Sequence, residues 1–298
     1  MNIIEPKVEL FFKGDKSDVE FIAKCARVCY GREKGNDEIT INNLLHNKHY
    51  SMFRHQTIYL KIPSKLYIRF YNDYLYITLS PYVNTLIHSD YAYIVTNGNY
   101  IIDLTKDDDY LSHTIHSIVN KYRISESEAL TIPDIAQHLF RYTIKLTTQI
   151  STSRELNRVS PNNISERSTR YVYEDGTLCK PWWLLDFSVA QYVNGAYTII
   201  KRGKQYGGNA LDYVQSCSQQ FDVYKRLIDN GMSREDARGV LPLDTATECV
   251  YTYSVDEWRH IIDLRYFGVT GKPHPNAKHI IGLVKQLLEN LGVEFNNK

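Results

Sequence analysis

The chain has 298 residues, 43% of them hydrophobic and 23% charged, which is enough apolar material for a substantial core and argues against disorder. With 35 Lys and Arg against 34 Asp and Glu the net charge is +1; this disfavours a general duplex nucleic-acid binder, yet a few arginines in one pocket could still hold a small anion. No run approaches the ~18 apolar residues of a membrane span, and Met1-Asn2-Ile3-Ile4-Glu5-Pro6 lacks the basic-then-apolar order of a signal peptide, so a cytoplasmic chain with no nucleic-acid and no membrane partner is expected.

In chain order, Phe21, Ile22, Cys25, Val28 and Cys29 recur at helical spacing between Asp18 and Tyr30. A second helix is predicted from about Asn36 to His46, with Ile39, Ile41, Leu44 and Leu45 inward. Thr57 to Ile62 alternates as a strand that Pro63 ends. Residues 64–133 hold two strand-like runs, Leu75–Leu79 and Tyr91–Val95, then an Asn97-Gly98-Asn99 turn signal and the acidic Asp107-Asp108-Asp109. This stretch reads as an insertion within one domain spanning 1–298, because no linker bounds it.

His138 to Ile150 is predicted as a long strand, and Leu211 to Ile228 as a helix ended by Asn230-Gly231. Ser233-Arg-Glu-Asp236 has capping-box spacing and opens a short helix reaching Arg238. A strand from Thr247 to Tyr253 leads to a second capping box, Ser254-Val-Asp-Glu257, and a helix through Arg265; a last helix covers about Pro275 to Leu291. Long helices with a few strong strands, lacking regular short crossovers, predict an α+β fold, a mainly antiparallel twisted sheet packed by helices in a single domain. The five cysteines (25, 29, 179, 217 and 249) are scattered, with no second Cys/His pair at zinc spacing. Reduced, mostly buried thiols and no metal site are expected.

The segment Ser153 to Tyr171 concentrates chemistry. Glu155, Arg158, Glu166, Arg167 and Arg170 fall within it, with Ser168 beside Arg170. Arginine suits a phosphate or a pyrimidine carbonyl edge because its fork donates two aligned hydrogen bonds, and Ser168 could add its hydroxyl and backbone N–H. The same composition also suits a solvated, salt-bridged helix and turn. Arg238 and Arg265 stand beside apolar residues, where a guanidinium is costly without an anionic partner. That partner is either a structural carboxylate, with Asp244 and Asp263 as candidates, or a ligand.

Arg158 followed by Ser165-Glu-Arg-Ser-Thr-Arg-Tyr171 resembles the signature of flavin-dependent thymidylate synthases, an Arg-His-Arg followed by Ser-x-Arg-Tyr. Four other blocks fall in that family's order: Cys25-Ala-Arg-Val-Cys-Tyr30, Lys48-His-Tyr-Ser-Met-Phe-Arg-His55, Ser233 to Pro242, and Leu264-Arg265 with His274-Pro275 beyond. The resemblance implies reductive methylation of dUMP at C5 to dTMP, with FAD as cofactor and NADPH and methylenetetrahydrofolate as co-substrates, in a homotetramer with shared active sites. By match, Arg265 is the catalytic group at the uracil carbonyl edge, and Glu155, Arg158, Glu166, Arg167, Ser168, Arg170 and Arg238 hold the nucleotide. His55, Asn163, His260 and His274 stand at cofactor positions.

The resemblance breaks at Val159-Ser160 and again at His260 and Asp256, where the family more often places Asn and Arg near the cofactor. Val159-Ser160 occupies the place of the family's His-Arg, and neither side chain replaces a ring donor and a guanidinium. Two other functions therefore stand beside the first: a diverged flavin- and folate-dependent C5 modifier of a pyrimidine nucleotide, for example a hydroxymethylase, and a non-catalytic nucleotide-binding relative.

Overall fold

A computed structural model describes all residues except 12, 15, 89, 159–162, 192–195 and 296–298. Strands β1 (Asn2–Ile4) and β2 (Lys7–Leu10) open the chain. Helix α1 (Asp18–Val28) starts where the Ser17 hydroxyl accepts from Glu20 N and the Glu20 carboxylate accepts from Ser17 N; this reciprocal cap satisfies two otherwise orphan donors. Helix α2 (Asp37–His46) is capped by Asn36. Ile41 and Leu44 of α2 are buried as predicted, but Ile39 and Leu45 face solvent, so its apolar stripe is narrower than expected.

The 64–133 stretch builds most of a four-stranded antiparallel sheet. Strand β3 (Thr57–Pro63) is followed by helices α3 (Ser64–Asp73) and α4 (Leu75–Thr78), then strands β4 (Asn84–His88) and β5 (Tyr91–Asn97). Leu75–Thr78 was expected as a strand and is helical: it follows α3 directly and packs against it, so tertiary context overrides a β-rich composition. The Asn97-Gly98 signal marks a helix start rather than a free turn. Asn97 accepts from Tyr100 N and caps helix α5 (Gly98–Leu104), and a Cβ at Gly98 would sit 1.9 Å from Gln56 Oε1. Helix α6 (Tyr110–Tyr122), capped by Asp109 of the acidic run, precedes strand β6 (Arg123–Ile124), and the sheet order is β4-β5-β3-β6.

After helix α7 (Glu126–Leu130) and a π-helical turn at Ile135–Leu139 comes strand β7 (Arg141–Gln149); the strand predicted from His138 starts three residues later. Helix α8 (Ile150–Leu156), strand β8 (Ile164–Glu166) and strand β9 (Thr177–Cys179), which pairs in parallel with β1, lead to an antiparallel meander of β10 (Ser188–Gln191), β11 (Tyr197–Lys201) and β12 (Lys204–Tyr206). Helix α9 (Asn209–Asp229) ends at Gly231, whose φ of +92° suits glycine. Short helix α10 (Arg234–Ala237) runs into a 3₁₀ turn at Arg238–Val240. Strand β13 (Ala246–Ser254) feeds helix α11 (Val255–Ile262) through the predicted reciprocal cap of Ser254 and Glu257, and helix α12 (Pro275–Asn290) closes the fold.

The second four-stranded sheet, β2-β7-β13-β8, is antiparallel throughout, and β7 pairs β13 over nine positions from Ala246↔Gln149 to Ser254↔Arg141. Its two faces differ. Ile144, Leu146, Cys249, Tyr251 and Tyr253 pack with Trp258, Ile261, Ile262, Ile280, Ile281 and Val284 of α11 and α12. Each such large side chain contributes about 1.5–3 kcal/mol when fully buried. Val250, on the opposite face, packs with Phe21, Cys25 and Val28 of α1. Four of the five cysteines are buried, and all five are free thiols. Among the described residues, no helix is long and apolar enough to cross a membrane.

Candidate functional site

Residues 167–174 form a turn held against the end of α1. Ser168 N donates to Cys29 O at 3.0 Å, and Tyr171 N and Val172 N donate to Ser168 O. The Ser168 N–H, expected to face a phosphate, is thus committed to the fold; the hydroxyl, which accepts from Arg170 N at 3.3 Å, keeps its own proton to donate. Arg167 turns inward to Glu174 at 3.1 Å, where burial pushes the Glu174 carboxyl up to about 7 although Arg167 draws it down. Arg170 pairs with Glu235 at 2.9 Å on the surface. Arg234 donates to Tyr171 O at 2.6 Å and Arg238 to Thr169 Oγ1 at 3.4 Å, and neither has a carboxylate partner among the described residues. The structure thus gathers Ser168, Arg170 and Arg238 around one turn. It adds Arg234 and Glu235, which the cap at Ser233 places in the first turn of α10 and which the sequence reading passed over.

Glu166 belongs to the α8 side of the same sheet. Its carboxylate accepts from Ser153 Oγ at 2.7 Å, Asn157 Nδ2 at 3.3 Å and Thr247 Oγ1 at 3.3 Å, while Tyr251 Oη donates to Asn157 Oδ1 at 2.8 Å. An anion held by three neutral donors is fixed in place without being neutralised. Glu155 and Arg158 pair at 3.1 Å one turn further on. The adjoining Val159 and Ser160 lie outside the described residues.

Arg265 sits in a π-helical turn at Asp263–Phe267 that packs on α11 and α12. It is partly buried, its Nε has no hydrogen-bond partner, and it makes no ion pair with a described residue. The two carboxylates suggested for it are not its partners. Asp244 accepts instead from Tyr213 Oη and Ser151 Oγ, and no bond joins Asp263 to Arg265. Arg265 also does not join Arg170 and Arg238 in this chain: they lie beside the α1 end of the sheet, whereas α11 and α12 cover its other face.

The four residues at cofactor positions divide into two pairs. His55 and Asn163 are 1% and 2% exposed and both engage Thr252: His55 Nδ1 lies 2.8 Å from Thr252 Oγ1, and Asn163 O accepts from Thr252 N at 3.1 Å. His55 Nε2 and Asn163 Oδ1 are left without partners. Burial holds the His55 imidazole down at about 3, so it is neutral. His260 on α11 and His274 at the start of α12 are exposed. Nearby Arg141, 8% exposed, spends its guanidinium on Arg54 O, Gln56 O, Thr57 Oγ1 and Thr252 O, with no carboxylate. Sequence reasoning missed Arg141, since its strand carries no sign that this position turns inward. Among the described residues no group of three or more His, Cys, Asp or Glu could hold a metal ion.

The sequence model of the family described as thymidylate synthase complementing protein matches residues 135–290. The chain belongs to this family. Among its relatives, the flavin-dependent thymidylate synthase of Kosmotoga olearia is 26% identical over 168 residues, 50% of this chain and 70% of the relative. A probable flavin-dependent thymidylate synthase of Paramecium bursaria Chlorella virus 1 is 29% identical over 65 residues, 22% of this chain and 30% of its own length. The crystal structure of a UMP/dUMP methylase, PolB, from Streptomyces cacaoi with 5-Br dUMP superposes with a TM-score of 0.43 at 17% identity, covering 98% of this chain and 93% of the other. The same methylase with 5-Br UMP gives 0.42 at 18% identity, covering 98% and 92%.

Family membership makes the protein an enzyme of the methyltransferase class and implies a flavin. The matched span contains the turn at 167–174, Arg238, Arg265 and the whole of the last helix, and it excludes residues 64–133. The four cofactor-position residues differ in burial. The free polar atoms of His55 and Asn163 are sealed from solvent, and His260 and His274 face outward.

Proposed function

We propose that the protein methylates the C5 position of dUMP, forming dTMP with the one-carbon unit of methylenetetrahydrofolate and the reducing equivalents of NADPH. The observation that carries this reading is the turn at 167–174. Ser168, Arg170 and Arg238 gather there with Arg234 inside the family-matched span, and two of the three guanidiniums lack a carboxylate. A phosphate monoester suits that group, because forked donors match its oxygens and a displaceable surface partner, Glu235, costs little to release.

Arg265 supplies the second element. A guanidinium without a counter-ion, half-sheltered beside α12, suits a carbonyl edge on which negative charge grows as C5 becomes nucleophilic. Glu166, held by Ser153, Asn157 and Thr247, is a fixed acceptor for a donor on the nucleotide. The separation of Arg265 from the turn within one chain supports a site pooled between copies, and hence the tetramer. A flavin-dependent modifier with a different one-carbon outcome uses the same residues, and product analysis separates the two. Purified protein incubated with dUMP, methylenetetrahydrofolate, NADPH and FAD should yield dTMP by chromatography. A hydroxymethylated nucleotide would establish the diverged modifier, and no product with flavin demonstrably bound would overturn both.

A further inference from the structure

Glu166 is half-buried yet forms no ion pair with a described residue, while Lys145, Arg158 and Arg167 pair with Glu248, Glu155 and Glu174. Its neighbours are neutral. Oε1 takes the Ser153 and Thr247 hydroxyls, and Oε2 takes the Asn157 amide. The Cys249 thiol stands opposite it in the β13–β8 ladder, where burial, and then the Glu166 charge, push that thiol well above its ordinary range. A sheltered carboxylate without a cation is costly, and these contacts hold it in place without cancelling its charge.

Asn157 contributes through a bifunctional amide at the C-terminal end of α8. Its Nδ2 donates to Glu166 Oε2 at 3.3 Å, and its Oδ1 accepts from Tyr251 Oη at 2.8 Å. The phenol thereby selects one of the amide's two orientations. With Oδ1 taken, Nδ2 faces the carboxylate, whereas the flipped amide would set oxygen against oxygen. Tyr251 is itself immobilised: it is 2% exposed, and its ring centroid lies 6.1 Å from that of Tyr253 and 6.4 Å from that of Trp258. Burial holds its phenol well above the ordinary value, so it stays a donor. A core ring thus fixes a carboxylate to which it makes no hydrogen bond.

We infer that Tyr251 and Asn157 are positioning residues of the nucleotide site: the phenol sets the amide, and the amide holds Glu166 as an un-neutralised acceptor for an N–H or O–H of the nucleotide. The inference rests on the proposed function, which makes Glu166 that acceptor. Calorimetric titration of the intact protein with dUMP tests both. Asn157→Ala should weaken dUMP roughly ten-fold. Asn157→Asp, which keeps the shape and the acceptor for Tyr251 but replaces the donor with oxygen, should cost at least as much. Tyr251→Phe, which keeps the ring in the core, should weaken dUMP roughly three- to five-fold in the wild-type background. It should have no further effect in the Asn157→Ala background, because the phenol acts only through the amide; a merely structural role would act equally in both. If Glu166→Gln weakens dUMP while the Asn157 variants and Tyr251→Phe bind it as wild type does, the inference is overturned and Glu166 keeps its role. Equal effects of Tyr251→Phe in the two backgrounds would overturn it as well. If Glu166→Gln leaves dUMP binding unchanged, the place of Glu166 in the proposed function fails, and the inference fails with it.

Discussion

Two arginine-bearing regions of this chain, the seam at Arg141 and the turn at 167–174, solve opposite problems. Around Arg141 the guanidinium is sealed in the seam between the two four-stranded sheets, and every contact it makes is to a carbonyl or a hydroxyl of the protein itself. Tyr59 Oη accepts from Arg141 N, and the Tyr59 and Phe140 rings stack at 5.5 Å, locking the same seam. At the 167–174 turn the guanidiniums of Arg170, Arg234 and Arg238 are exposed, and their partners are a surface carboxylate, one carbonyl and a threonine hydroxyl. A buried charge that exhausts its donors internally serves the fold, whereas an exposed one with exchangeable partners can serve a ligand.

The comparison is broken most severely at the seam. Arg141→Ala leaves several buried carbonyls without donors and should cost about 3–5 kcal/mol in urea denaturation; a change below about 1 kcal/mol would mean that the seam is solvated. At the turn the same kind of truncation should act on binding. Arg238→Ala or Arg170→Ala should shift stability by no more than about 0.5 kcal/mol but weaken dUMP in calorimetry roughly ten- to hundred-fold. A third test uses the sequence break next to the turn. Val159→His with Ser160→Arg restores a ring donor and a cation, and FAD should bind the double variant at least several-fold tighter by fluorescence titration; unchanged or weaker binding with an intact circular dichroism spectrum would show a pocket rebuilt for another ligand.

The smallest effect concerns Glu174, the one buried carboxylate of the turn. Its folded value of about 7 lies above the ordinary 4.5, so between those values the folded chain keeps a proton that the unfolded chain has released. Stability from this group is present at low pH and is lost as pH rises through about 7. Glu174→Gln, which removes the buried charge, should raise the melting temperature relative to wild type by roughly a few °C at pH 8 and by much less at pH 5. An equal difference at both pH values would place the ionised carboxylate in a stable pair with Arg167 throughout.

The elements most legible in sequence were those with local grammar. Ser254 with Glu257 announced its helix, and Asn230-Gly231 announced the end of α9, because caps and positive φ are written within a few residues. Leu75–Thr78 misled because Leu-Tyr-Ile-Thr is too short to carry a period that separates a strand from a short helix. Ile39 and Leu45 misled because which apolar positions of a helix are covered depends on the neighbour, here the core of Ile22, Ala26 and Phe53. In the site, residue types were readable and their grouping was not. Arg170 and Arg238 are 68 positions apart and meet only because β8 and β13 pair from Cys249↔Glu166 to Tyr251↔Ile164. The inward turn of Arg141, the capture of the Ser168 N–H by Cys29 O and the role of Arg234 all depend on contacts that no spacing rule encodes.

The central claim is that one nucleotide site draws Arg170 from one copy of the chain and Arg265 from another, and complementation between two inactive variants tests it most directly. Arg170→Ala and Arg265→Ala, assayed singly for dTMP formation, should each be nearly inactive. Co-expressed and purified as mixed assemblies, they should recover about a quarter of wild-type turnover, since random pairing leaves that share of shared sites intact. Mixed assemblies no more active than the separate variants would contradict the claim and place both arginines in the service of a single chain.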